Sequence, residues 1–149
     1  MIHWLISAIL TITIFPQQED VALKSIVTAG KAGIVKHYAT KTTRRELTYL
    51  GSVKVNGKVA YHVVSEFRQL KMAITLRGYS HVIYCTADGS AIRSYDFGMP
   101  EELPFALRSN TLHQKYRDET RLVVDSIMLT KAIPDQLVTA GAGRIYEAD

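Results

Sequence analysis

The pair Asn56-Gly57 constrains this chain more than any other two residues. Asparagine followed by glycine accepts the two positive φ angles of a type I′ turn, whose twist matches the strands it joins. The runs on either side, residues 47–55 and 58–67, are rich in Val, Tyr and Thr. A tight hairpin is therefore predicted, and with it an antiparallel sheet. A second hairpin is predicted where residues 81–86 (HVIYCT) meet residues 90–97 through Ala87-Asp88-Gly89, because a three-residue loop ending in glycine suits a left-handed last position. A third takes residues 111–116 through Arg117-Asp118-Glu119-Thr120 into residues 121–129.

Two segments read as helix. Residues 20–38 place Leu23, Ile26, Val27, Ala29, Ile34 and Val35 at helical spacings, with a break at Gly30, since Gly30 and Gly33 each cost about 1 kcal/mol relative to alanine. Residues 65–78 (SEFRQLKMAITLRG) predict a second, shorter helix: Ser65 can cap its start, Phe67, Leu70 and Ile74 share a face, and Gly78 can end it. A strand over residues 69–76 is the competing reading. Met99-Pro100-Glu101-Glu102-Leu103-Pro104 reads as a connector or one helical turn, and residues 135–140 as a further helical turn. Within residues 58–67, Val59, Tyr61, Val63 and Ser65 alternate with Ala60, His62, Val64 and Glu66. Neither set is plainly polar, so this strand is expected to be central and covered on both faces. The sum is an α+β fold: a mostly antiparallel β-sheet built from about three hairpins with one or two packed helices.

A chain of 149 residues, 47% apolar and 21% charged, can bury enough surface for one such domain over residues 19–149, and intrinsic disorder is excluded. The first 18 residues carry no charged side chain, and residues 5–15 (LISAILTITIF) are apolar apart from Ser7, Thr11 and Thr13. Such a run fits the apolar core of a secretory leader, about 7–15 residues, better than a membrane-spanning helix, which needs about 20. A leader over residues 1–18 and an exported, soluble protein, periplasmic or extracellular, are expected. The alternation in Leu10-Thr11-Ile12-Thr13-Ile14 leaves a retained strand open, and a short membrane anchor is the third reading. The run followed by Pro16-Gln17-Gln18-Glu19-Asp20 resembles the leader junction of small exported proteins of some Gram-negative bacteria.

Charge is distributed unevenly. Residues 22–65 hold eight basic side chains against Glu46 alone, a balance of +7, whereas residues 99–149 hold six basic and eight acidic, a balance of −2. A polarised surface of this kind attracts acidic partners. Lys36, Lys41, Arg44 and Arg45, interleaved with His37, Tyr38 and four threonines or alanines, are the candidate anion-binding residues. They suit an acidic protein, an anionic lipid surface or another polyanion, and no specific nucleic-acid signature accompanies them. A solvated basic loop is the plain alternative.

Catalytic and metal patterns are missing from the linear sequence. His3, His37, His62, His81, His113 and Cys85 have no zinc-type spacing, so neither metal nor other cofactor is expected. His81 and Cys85, four apart on a strand, lie about 13 Å from each other, too far for a base and its nucleophile. Gly30-Lys31-Ala32-Gly33 lacks the order of a phosphate loop, and Gly141-Ala142-Gly143 is too short for a dinucleotide fingerprint. Gly57-Lys58-Val59-Ala60-Tyr61-His62-Val63, with Ala87-Asp88-Gly89-Ser90-Ala91-Ile92 later, resembles the hairpins of PepSY-type domains. That resemblance implies a small ligand- or peptide-contacting module and carries over no functional residue. The expected function is a non-catalytic binding or interaction module for an acidic partner. The alternatives are a small exported hydrolase, using His62 or His81 with Glu66 or Asp96, and an intracellular basic nucleic-acid-binding domain.

Overall fold

The computed structural model describes residues 20–149, and the expected leader, residues 1–18, lies outside them. The described chain opens with helix α1 (Val21–Ala29), followed by β1 (Val35–Ala39), β2 (Thr43–Val55), β3 (Lys58–Lys71), β4 (Leu76–Cys85) and β5 (Ala91–Asp96). After a 3-10 turn at Pro100–Glu102 come β6 (Ala106–Arg108), β7 (Thr111–Asp118), β8 (Arg121–Met128), β9 (Gln136–Val138) and β10 (Ile145–Glu147). Strands β1 to β5 form one meander in chain order, β6 to β8 a second sheet, and β9 with β10 a two-stranded ribbon; every pairing is antiparallel.

At 57% strand and 9% helical, the described residues are essentially all-β, which corrects the α+β expectation of a sheet with one or two packed helices. Residues 65–78 account for most of the difference. They form the end of β3 and the start of β4, paired through Phe67↔Ser80, Gln69↔Gly78 and Lys71↔Leu76. On the other side, β3 pairs with β2 from Leu70↔Thr43 to Lys58↔Val55. The helical spacing of Phe67, Leu70 and Ile74 is overruled because strands on both sides satisfy the backbone of β3, a tertiary effect that local periodicity does not register. Residues 135–140, read as a helical turn, instead contain β9, held by Tyr146↔Leu137.

The early helix is shorter than its sequence pattern. Asp20 caps it by accepting a hydrogen bond from the Leu23 amide at 3.0 Å, and Gly30, at φ 61°, ends it. Residues beyond Gly33 become β1. Leu23, Ile26 and Val27 bury against Leu47, Tyr49, Val64, Ile83 and Cys85 on one face of the meander. On the opposite face, Leu50, Val53, Tyr61, Val63, Val82 and Tyr84 pack with Leu112 and Ile127 of the second sheet and with Leu137 and Tyr146. Each such fully buried side chain contributes about 1.5–3 kcal/mol. β3 is thus central and covered on both faces, as its sequence predicts.

Two turns match their residues. Asn56 and Gly57 take φ of 51° and 74°, and Gly89 takes 83°. A Cβ on Gly89 would lie 2.4 Å from the Lys24 Cα, so glycine is required there by the close approach of α1 as well as by φ. In β2 the pairing slips between Tyr49 and Gly51, with Leu50 as the extra residue. Leu47 and Tyr49 face the helix, whereas Leu50 and Val53 face the second sheet. The ribbon is anchored by Asp125 of β8, whose carboxylate accepts from the backbone amides of Gly141 (2.7 Å), Ala142 (2.9 Å) and Ser126 (2.9 Å). No helix of the described residues is long and apolar enough to cross a membrane.

Candidate functional site

A meander in chain order places the β1–β2 and β3–β4 connections at one end of the sheet and the β2–β3 and β4–β5 connections at the other. At the first end, the Thr40 amide donates to the Thr43 carbonyl at 2.8 Å and the Thr40 Oγ1 accepts from the Thr43 amide at 3.0 Å, which closes a tight turn with Lys41 at its tip. The Lys71 amide donates to the Thr42 carbonyl at 2.8 Å and ties this turn to the end of β3. Next to it, the Met72 amide donates to the Thr75 carbonyl at 2.8 Å and closes the β3–β4 turn. Residues 71–78 are all exposed, because here the long strands run past both cores.

Lys41, Arg44, Lys71 and Arg77 are gathered at this end, all exposed, and among the described residues none of them is in an ion pair. No aspartate or glutamate occurs from residue 67 to residue 87. A cleft of about 490 Å³ lies between the two turns, lined among others by Lys41, Arg44, Lys71, Met72, Ile74 and Leu76. Four cations outnumber the one acidic side chain close to them in sequence, Glu46, which stands two residues along β2 from Arg44; they produce a local positive potential, and the cleft gives an anionic group a place to sit.

The four residues singled out in the sequence are divided by the fold. Lys41 and Arg44 belong to this end. Lys36 is half-buried on β1, where its Nζ donates to the Ser25 Oγ at 2.7 Å and pins the helix to the edge of the sheet. Arg45 points to the helix side. Its two terminal nitrogens donate to the Asp20 carboxylate at 2.8 and 2.7 Å, and its Nε donates to the Glu66 carboxylate, which also receives Arg68 at 3.0 and 2.8 Å. Burial acts against the Arg45 charge, but the bonds to Asp20 and Glu66 outweigh it and raise its pKa. For Asp20, burial alone would raise the pKa, and the Arg45 bond, the Leu23 amide and the nearby guanidinium charges bring it below the ordinary carboxylate range. Lys71 and Arg77, which complete the basic end, went unread in the sequence. The acid-free run over residues 67–87 was the signal that could have found them.

The titratable groups suggested for hydrolysis have other partners. The Tyr49 hydroxyl lies 2.7 Å from the His62 Nδ1, and burial lowers the His62 pKa while raising that of Tyr49. Across the ladder from His62 stands Cys85, fully buried, its thiol pushed up to about 12 chiefly by that burial. His81 Nε2 sits 3.2 Å from the Asp149 carboxylate. Glu66 is taken by the two arginines, and Asp96 accepts from the Gly98 amide at 2.7 Å. Among the described residues, no three His, Cys, Asp or Glu side chains are grouped so as to hold a metal ion. The basic end therefore has the clearest chemistry: it can attract and hold negative charge. No protein-family model, curated protein or solved structure matches this chain.

Proposed function

We propose that the protein is an exported, non-catalytic binding module that engages an acidic partner through the basic end of its meander. The observation that carries this reading is that Lys41, Arg44 and Lys71 line one cleft between two adjacent turns, with Arg77 at the same end on the other face of β4 and no acidic residue from 67 to 87. Cations left unpaired at one end steer a polyanion by long-range attraction and then hold it through charge-assisted hydrogen bonds. Binding is favoured over hydrolysis because His62 is bonded to Tyr49, while Glu66 and Asp96, the cross-strand neighbours of His81, are engaged by Arg45 and Arg68 and by the Gly98 amide. Export rests on the length of the apolar run at residues 5–15.

The test is the affinity of the full chain for a fluorescein-labelled heparin oligosaccharide, followed by anisotropy across a salt series. Replacing Lys41, Arg44, Lys71 and Arg77 together by alanine is expected to weaken binding by roughly tenfold or more at low salt and to flatten the salt dependence. Equal affinity and equal salt slope in the variant would overturn the reading.

A further inference from the structure

The basic end carries a second feature that charge alone does not use. Its β3–β4 turn presents aliphatic side chains to solvent: Ile74 is 94% exposed, Leu76 68% and Met72 47%. Ile74 is the most exposed large apolar side chain among the described residues, and it stands at the same end as the four cations. The turn is held in shape by the Met72 to Thr75 bond and braced against the β1–β2 turn by the Lys71 to Thr42 bond. An apolar tip on a braced support, ringed by unpaired cations, combines the two demands of an anionic bilayer surface: apolar side chains that enter the acyl boundary and basic side chains that meet the headgroups.

We infer that the partner is an anionic lipid bilayer, entered by Met72, Ile74 and Leu76 while Lys41, Arg44, Lys71 and Arg77 pair with its headgroups; this rests on the basic end being the binding site. A soluble polyanion would satisfy the cations and leave Ile74 in water. A nucleic acid would do the same, since its phosphates offer nothing to an aliphatic tip and stacking on bases calls for aromatic side chains. The bilayer satisfies both sets of groups in one contact.

The experiment is flotation of the full chain with vesicles of equimolar phosphatidylcholine and phosphatidylglycerol and with vesicles of phosphatidylcholine alone, beside the heparin assay. The wild type is expected to float with the anionic vesicles and to bind the neutral ones at least about tenfold more weakly. Ile74→Asp places a charge on a side chain that has no packing to lose, so thermal stability should not change. It is expected to weaken vesicle binding by roughly tenfold and heparin affinity by only the few-fold that one added negative charge costs the basic end, whereas the fourfold alanine variant should weaken both by roughly tenfold or more. Unchanged flotation of Ile74→Asp would overturn the inference, and would be the result if the apolar residues 5–15 rather than the tip held the chain to the vesicle. Heparin binding without vesicle binding would also overturn it and leave the anion site standing, whereas loss of neither ligand in the fourfold variant would overturn both. A duplex DNA oligonucleotide bound more tightly than the vesicles, and weakened by Ile74→Asp no more than heparin is, would point to nucleic acid instead.

Discussion

Replacing Arg45 by methionine removes its charge and keeps most of its aliphatic stem, and the structure allows the cost to be worked out. Glu66 has a side chain only 3% exposed and depends on Arg45 and Arg68 for compensation. Breaking a buried pair by removing one partner costs about 3–5 kcal/mol, because the remaining charge stays desolvated. Here Arg68 retains two bonds to Glu66, which places the loss near the lower bound. Asp20, at 38% side-chain exposure, adds at most about 1 kcal/mol and keeps its bond from the Leu23 amide. Arg45→Met should therefore destabilise by about 3–4 kcal/mol, read as a fall in melting temperature on the order of 10–15 °C and as a lower urea midpoint. A cycle with Glu66→Gln should show coupling: the second change costs less in the methionine background than in the wild type. The pH dependence has a definite sign. The folded pKa of Asp20 is depressed, so its contribution is full above the unfolded value near 4 and is lost as pH falls below it; acid should cost the wild type slightly more than Arg45→Met. A methionine variant within about 0.5 kcal/mol of the wild type, with no coupling to Glu66, would show that the guanidinium holds nothing together and is free for an outside anion.

Asp125 offers a second pH test: burial would raise its pKa, but the amides of Ala142, Gly141 and Ser126 bring it down to about 2, so its stabilisation is present above pH 4 and is lost as pH falls toward 2. Asp125→Asn should cost about 2 kcal/mol at neutral pH and flatten the acid limb of a stability curve between pH 4 and 2; an unaltered acid limb would refute the clamp. The two turn glycines separate conformational strain from steric conflict. Gly57→Ala, with nothing within 4 Å of its Cβ, should cost about 1 kcal/mol, whereas Gly89→Ala meets the Lys24 backbone and should cost about 3 kcal/mol or more in urea unfolding; equal costs would mean that the hairpin does not press on α1.

The legible parts of this fold were those written in local chemistry. Asn56-Gly57 and Gly89 need left-handed backbone, few other residues supply it cheaply, and so the turns and the pairing around them could be read directly. The double-sided burial of β3 was also visible, since Tyr61 and Val63 alternate with His62 and Val64 without a polar face. Residues 65–78 were misread because their apolar spacing suits a helix, and only the flanking strands β2 and β4 decide otherwise. For the site, composition marked the basic region but not the sidedness of its members. Arg44 and Arg45 are neighbours on a strand and so point to opposite faces; one is exposed at the basic end, and the other is bound to carboxylates at positions 20 and 66. Those long-range partners leave no mark on the sequence near Arg45. The apolar tip was hidden by the same misreading, since a helix would have turned Ile74 inward.

The extra residue at Leu50 has an effect that reaches past its own turn of chain. It advances the phase of β2 by half a period, so that odd-numbered side chains serve the helix before it and the second sheet after it. Deleting that single position would turn Ser52 toward the second sheet and Val53 toward the helix side, and would reverse the facing of every subsequent residue of the strand. The two hydrophobic compartments of the molecule are thereby kept in step by one amino acid, much as a vernier depends on a single offset mark.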